Sequence, residues 1–401
     1  MSDLHPFHLA VALDGFGWHP AAWRHAEADA ADLFTADYWR YLIAEAERGL
    51  LDFVTIEDSI GLESSASAAP NGDKGRARGH LDATVLAARI APLTSRVGIV
   101  PTSSTTHLEP FHISTAIATL DYVSEGRAGW RPQISEHSAD AALFGRRSIP
   151  ELDPTRCDAE QAQIALSGLF DEASEVVEVV RKLWDSWEDD ATIRDVTTGR
   201  FVDREKLHYI DHVGPRLSIK GPSIVPRPPQ GQPVVVALAH SAVSYAFAAR
   251  SADVVLVTPH TTGEAGSIVA EVRAAEQSIG REDSRLKIFG DLVVFLDDDT
   301  PAAVKRKRCL DELDGADFAG DALVFTGTPS ELSDLLGSWQ QAGLDGFRLR
   351  PGEMRQDLAA ITKVLVPELR RRGLFRTRYE ASTLRGLLGL ERPVSRYAAI
   401  T

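Results

Sequence analysis

The sequence predicts a (β/α)8, or TIM, barrel with insertions, and three observations lead there. Short apolar runs rich in β-branched residues, such as Phe53–Ile56 and Val234–Leu238, alternate with amphipathic helical stretches along the chain. These runs are apolar on both faces, the pattern of parallel strands covered by helices. The segment from Val97 to Trp130 reads as strand, hydroxyl-rich turn, helix and strand, one complete β/α repeat. The count approaches eight such units in 401 residues, a length that one barrel with insertions can reach.

Taken in order, residues 7–13 form a first strand. A loop from Asp14 to Arg24 follows, carrying Phe16, Trp18, His19 and Trp23, and aromatics crowded into a loop suggest a pocket wall. Asp37 is a candidate cap for a helix with Trp39, Leu42, Ile43 and Ala46 on one face, closed by Gly49. Residues 53–56 are the second strand, with Glu57, Asp58 and Ser59 at its end. Residues 61–79 read as a mobile loop, and a helix over 82–91 leads to a strand at 97–100. Thr102, Ser103, Ser104, Thr105 and Thr106 then stand at the carboxyl end of that strand, where barrel ligands sit. Pro110 opens the next helix, at a position where its missing N–H is harmless. Residues 131–166 have no sustained period and read as an insertion, as does 190–232. Between them Val176, Val179, Val180, Leu183 and Trp187 keep helical spacing. Strands at 234–238, 254–257, 288–296 and 346–349 follow. A capping box at Thr328-Pro329-Ser330-Glu331 starts a helix through Trp339. A helix near 354–372 and a basic tail close what is expected to be a single domain.

Composition excludes several classes. The net charge of -15 argues against a nucleic-acid partner. No run approaches the roughly 18 apolar residues of a membrane span, and the first residues lack the pattern of a secretory signal. Cys157 and Cys309 form neither a disulfide framework nor a metal spacing, so a cytoplasmic protein is expected. No metal site is expected either. A barrel hydrolase would need a close histidine pair on the first strand and a lysine ending a middle strand, and the sequence has neither.

The blocks HPAAWRH (19–25), AERGLLDFVTIEDS (46–59), LWDSWEDDA (183–191), GRFVDREKLHYIDHVGPRLSIKGP (199–222) and VPELRRRGLFRTRYEASTLRGLLGL (366–390) resemble the bacterial luciferase-like flavin-dependent monooxygenases. They are similar to the branch that holds the nitrilotriacetate, EDTA and dibenzothiophene-sulfone enzymes. The resemblance implies a barrel that uses reduced FMN and O2 to oxygenate a small organic substrate. It also implies a separate NAD(P)H:flavin reductase as partner and a homodimer or homotetramer. Carried onto this sequence, Asp58, Thr102 and Ser104 are expected beside the flavin ring. Ser241, following His240, is expected in the turn that holds the phosphate, and His19 near the reacting face. His107 could reach the same space, and together the two histidines are the catalytic candidates, as hydrogen-bond donor to the oxygen or base toward the substrate.

The sequence departs from the family pattern at three places. Arg131 stands where an asparagine is usual, four residues before Ser135. The turn runs Leu238-Ala239-His240-Ser241 with Ser244-Tyr245 after it, in place of Ala-Gly-Ser-Ser and a later Gly-Arg. Leu169-Phe170 replaces an Arg-Tyr pair. Arg131 could supply charge toward the phosphate, and Arg131, Ser135 and His240 complete the candidate cofactor residues. Plainer readings stand beside these: a backbone-bonded loop histidine for His19, a helix-capping carboxylate for Asp58, an N-cap serine for Ser241. A silent flavin-binding or partner subunit, or a reductase using the deazaflavin F420, are the alternatives of function.

Overall fold

The computed structural model describes residues 6–24, 30–61, 77, 79–150, 159–281 and 284–398. Eight parallel strands form its centre: β1 (His8–Leu13), β2 (Phe53–Ile56), β3 (Gly98–Ser104), β4 (Gly129–Gln133), β5 (Val234–Leu238), β6 (Val254–Val257), β7 (Lys287–Leu296) and β8 (Gly346–Pro351). Each pairs with its successor, and β8 returns to β1 with Gly346 opposite His8, so the ring closes as the sequence predicts. A further strand, Leu323–Gly327, adds to the outer half of β7. The helices that concern the site are α1 (Ala36–Arg48), α2 (Ala83–Ile90), α3 (Pro110–Val123), α4 (Ser138–Phe144), α5 (Ala159–Asp185), α6 (Ala242–Ser251), α7 (Thr262–Ser278) and α8 (Thr300–Asp314).

The two-residue period of the strands sorts the core. Val54, Ile56, Phe347 and Leu349 point outward and pack with helix residues such as Trp39, Leu42 and Trp339. Ala10, Phe53, Val100, Val236 and Leu256 point inward and form a separate apolar plug at the amino-terminal half of the barrel. Leu384 and Leu388, from the stretch expected to be a plain basic tail, seal that plug from below. Both leucines are fully buried. Leu384→Ala is therefore expected to lower the unfolding free energy by about 2–4 kcal/mol in urea denaturation, because the rigid ring cannot collapse onto the void.

Several local expectations are corrected. Thr35 rather than Asp37 caps α1, its hydroxyl accepting from the Tyr38 N–H at 3.3 Å. β3 runs on through Thr102, Ser103 and Ser104, and β4 through Arg131 to Gln133, so these residues lie in strands. The aperiodic region 131–166 contains α4 and the start of α5, and 190–232 contains two small hairpins. Trp187 leaves the helix, which ends at Asp185, and its indole donates to the Ser223 carbonyl at 2.8 Å. The basic run 305–308 reads as a solvated face, yet Arg306 is held between Asp357 and Glu353, at 2.6 Å from each. Most of the expected loop at 61–79, and Cys157, lie outside the described residues.

Candidate active site

The alternation that builds the apolar plug continues to the carboxyl ends of the strands, where it becomes polar. Above Ala10 on the same face of β1 comes Asp14, and above Phe53 on β2 come Thr55 and Glu57. Above Val100 on β3 come Thr102 and Ser104, and β4 contributes Arg131 and Gln133 by the same parity. β7 and β8 add Asp291, Arg348 and Arg350. One mouth thus receives side chains from six strands.

These side chains form a charged lattice across the barrel. Arg131 pairs with Glu57, and its Nε donates to Thr102 Oγ1 at 2.9 Å. Arg348 reaches Glu57 Oε1 at 2.9 Å, Thr55 Oγ1 at 3.0 Å and Asp291 at 2.6 Å. Arg350 donates from Nε to Asp291 at 2.8 Å and from a terminal nitrogen to Asp321 at 2.7 Å. Burial alone would raise the Glu57 carboxyl, but the Arg131 and Arg348 guanidiniums outweigh it and hold Glu57 below the usual carboxylate range. Asp291 is held low in the same way by Arg348 and Arg350, against its own burial. Asp14 has a weaker counterweight. Water in the mouth reaches it, but the surrounding walls leave little room to solvate a charge. Burial first, and the Glu57 carboxylate second, push it up to about 6 against the opposing pull of His80, Arg131 and Arg350.

Apart from His240 and Ser241 at the head of α6, the expected site residues fall into three groups. Thr102 and Ser104 face the mouth, each already accepting one hydrogen bond, from Arg131 Nε and from the Thr106 N–H. A hydroxyl that accepts in this way still has a proton to give. Ser135 stitches the end of β4 to the hydroxyl turn, its N–H donating to Thr106 Oγ1 at 2.9 Å and its hydroxyl to Asp140 at 2.5 Å.

Asp58 and His19 are tied elsewhere. Asp58 accepts from the N–H of Ala83, the first residue of α2, at 2.9 Å, beside the N-cap Asp82, and its other oxygen lies 3.1 Å from His80. His19 accepts at Nδ1 from the Ala21 N–H at 3.1 Å. Its Nε2 therefore carries the proton and meets Asp311 of α8 at 3.1 Å. The ring is 1% exposed against Phe295 and Phe318, and it fastens the first loop to α8. Arg131, expected to offer charge toward a phosphate, turns into the lumen to Glu57.

His107 is the opposite case. It lies in the turn after β3, 8% exposed, with its ring stacked on Phe144 at 4.8 Å, and neither ring nitrogen has a hydrogen-bond partner. Burial, with Arg147 nearby, lowers its pKa and keeps the imidazole neutral. A neutral imidazole offers one donor and one acceptor, and leaving both unsatisfied in the interior costs roughly 1–3 kcal/mol each. Such a group calls for an explanation, and a ligand is one.

Sequence reasoning missed Asp14, Glu57, Asp291, Arg348 and Arg350. Their signal was available as polar residues at a period of two within otherwise apolar strands. Concavities of about 580 and 730 Å³ also open on the surface, one beside Thr328 and Lys363, the other beside Tyr38 and Arg355. Neither is lined by the inward residues, so chemistry rather than size locates the site. Among the described residues no cluster of histidine, cysteine or carboxylate side chains could hold a metal ion. Nor is any described helix long and apolar enough to cross a membrane.

A closed parallel barrel with a polar mouth at its strand ends defines a class of barrel enzymes, and the comparison with known families narrows it. The chain belongs to the luciferase-like monooxygenase family, whose family model matches residues 16–327. It is 30% identical to the N-acetyl-S-(2-succino)cysteine monooxygenase of Bacillus subtilis (strain 168), over 97% of this chain and 98% of that protein. It is 29% identical to component A of the nitrilotriacetate monooxygenase of Aminobacter aminovorans, over 94% of this chain and 95% of the other. Among solved structures, the EDTA monooxygenase from Chelativorans sp. BNC1 superposes with a TM-score of 0.79 at 26% identity, covering 97% of this chain and 99% of that one.

Proposed function

We propose that this protein is a flavin-dependent monooxygenase that uses reduced FMN and O2 to oxygenate a small organic substrate, with the flavin ring in the barrel mouth. The reading is supported by one observation above all. In a luciferase-like barrel, the inner face at the strand ends gathers the free O–H groups of Thr102 and Ser104 beside the buried Arg131, with the unpaired His107 in the turn above. The reduced flavin supplies two electrons, so that one oxygen atom of O2 enters the substrate and the other leaves as water. The protein holds the ring, keeps bulk water out and orients the substrate. Thr102 and Ser104 donate to the polar edge of the ring. His107, neutral and lodged against Phe144, offers the substrate a hydrogen bond. His19 positions the first loop through Asp311.

The relative from Aminobacter aminovorans is named as one component of its enzyme, and a separate reductase that delivers reduced flavin is accordingly part of this reading. The test is anaerobic titration with reduced FMN followed by admission of O2 and sulfur-, nitrogen- or carbon-centred substrates. Tryptophan quenching on titration and substrate-dependent incorporation of labelled oxygen are expected; a protein that leaves both unchanged contradicts the reading.

A pH dependence follows from Asp14. A neutral ring that covers the mouth removes the water that solvates Asp14, and so binds best when Asp14 is protonated. Affinity for oxidised riboflavin, whose ring keeps one charge state in this range, is expected to fall as the pH rises through about 6. Asp14→Asn is expected to flatten that profile, as measured by fluorescence titration at successive pH values.

A further inference from the structure

We propose that Ser244 closes the amino-terminal turn of α6 to a phosphate, so that this protein holds its flavin by the ring and side chain and accepts the phosphate-free flavin as readily as the phosphorylated one. The inference rests on the flavin reading above and concerns which flavin that site selects.

The turn after β5 is where a phosphate would be sought, since backbone N–H groups at a helix start face outward with a favourable dipole. Here the N–H groups of His240 and Ser241 both donate to one internal acceptor, Ser244 Oγ, at 3.1 and 3.0 Å. That hydroxyl is anchored in turn. It donates to the Ser241 carbonyl at 2.9 Å and lies 3.1 Å from Ser241 Oγ. Ser244 is 1% exposed, so its side chain fills the cradle, whereas Ser241 beside it faces solvent. A phosphate oxygen would have to displace a buried, hydrogen-bonded hydroxyl to gain the same two donors.

The surroundings do not draw an anion either. The next residue, Tyr245, has its hydroxyl proton held on by burial and then by the Glu271 and Glu264 carboxylates of α7. Glu264 also accepts from the His260 N–H at 2.8 Å, on the loop that follows β6. The neighbouring face of α5 presents Leu169 and Phe170, the latter packed on Phe247 of α6 at 5.6 Å. Arg250 lies at the far end of α6, paired with Asp171 at 3.4 Å. Arg131, the cation expected to compensate, is committed to Glu57 inside the barrel.

The magnitudes separate the two possibilities. Two charge-assisted hydrogen bonds to a phosphate would favour FMN over riboflavin by on the order of 100-fold or more. Without them, a phosphate keeps only the first N–H groups of α6 itself and the helix dipole, a preference of about fivefold or less.

The test is anaerobic titration of the full-length protein with reduced FMN and, separately, reduced riboflavin, followed by tryptophan fluorescence. Dissociation constants within about fivefold of each other are expected. Binding of FMN more than about 30-fold tighter than riboflavin overturns the proposal. Ser244→Ala removes the hydroxyl and frees both N–H groups. It is expected to tighten FMN about tenfold while leaving riboflavin unchanged, the latter also reporting that the variant is folded. Ser244→Gly, which clears the cradle further, repeats the comparison should the alanine variant fold poorly. An unchanged ratio in both variants overturns the role of Ser244. If neither flavin binds the unmodified protein, the flavin reading itself fails, and this inference with it.

Discussion

Glu57→Ala is expected to lower the unfolding free energy by about 3–5 kcal/mol, the largest stability effect of any single change in the mouth. Glu57 is the shared partner of Arg131 and Arg348, and both guanidiniums are almost wholly buried. Truncation leaves two cations facing each other in the lumen with one carboxylate, Asp291, on the far side of Arg348. The loss is electrostatic rather than steric, which a double-mutant cycle can establish. Adding Arg131→Ala to Glu57→Ala is expected to recover part of the stability, because the stranded charge leaves with it. Urea unfolding of the four proteins measures the coupling. A loss below about 1 kcal/mol for Glu57→Ala would mean that water or a counter-ion solvates the lattice.

His107→Phe is expected to do the reverse: leave the fold intact and remove the activity. The substitution exchanges an imidazole with two unsatisfied nitrogens for a ring that makes the same stack on Phe144. Stability is expected to hold or to rise by about 1–2 kcal/mol as the buried polar atoms disappear. Substrate oxygenation is expected to fall by on the order of 100-fold if His107 bonds the substrate in the transition state. The affinity for reduced flavin should not change. Steady-state oxygenation and anaerobic titration of the same preparation separate these effects, and a variant with full turnover removes His107 from the mechanism.

The fold was legible because its signals are local. The apolar runs at 53–56, 234–238 and 254–257 announce buried parallel strands whatever lies around them, and Thr328 with Glu331 announces its helix start within four residues. Thr102 and Ser104 were singled out by the family resemblance, and the two-residue period puts them on one face only once β3 is known to extend to Ser104. What could not be read was partnership across the ring. Glu57 meets Arg131 from 74 residues away and Arg348 from 291, and His19 meets Asp311 from 292. Those distances in sequence become contacts only when the strands curl into the ring, so a strand-end acid such as Asp58 looked as promising as Glu57 beside it. Parity separates them: Glu57 continues the inward face of Phe53 and Thr55, while Asp58 turns outward to the first N–H of α2. Likewise Ser241 occupies the expected place at the head of α6, but only the structure shows that Ser244 has taken the N–H groups of Ser241 itself and of His240.

The central claim is that a flavin ring lies in this mouth, and a crystal structure of the protein soaked with flavin tests it most directly. The account predicts the ring over the charged lattice, its polar edge within hydrogen-bonding distance, about 3 Å, of Thr102 Oγ1 and Ser104 Oγ, with His107 on the substrate side. Density for the ring on another face of the barrel, or a mouth still filled by Arg131 and Glu57 at saturating flavin, would contradict it.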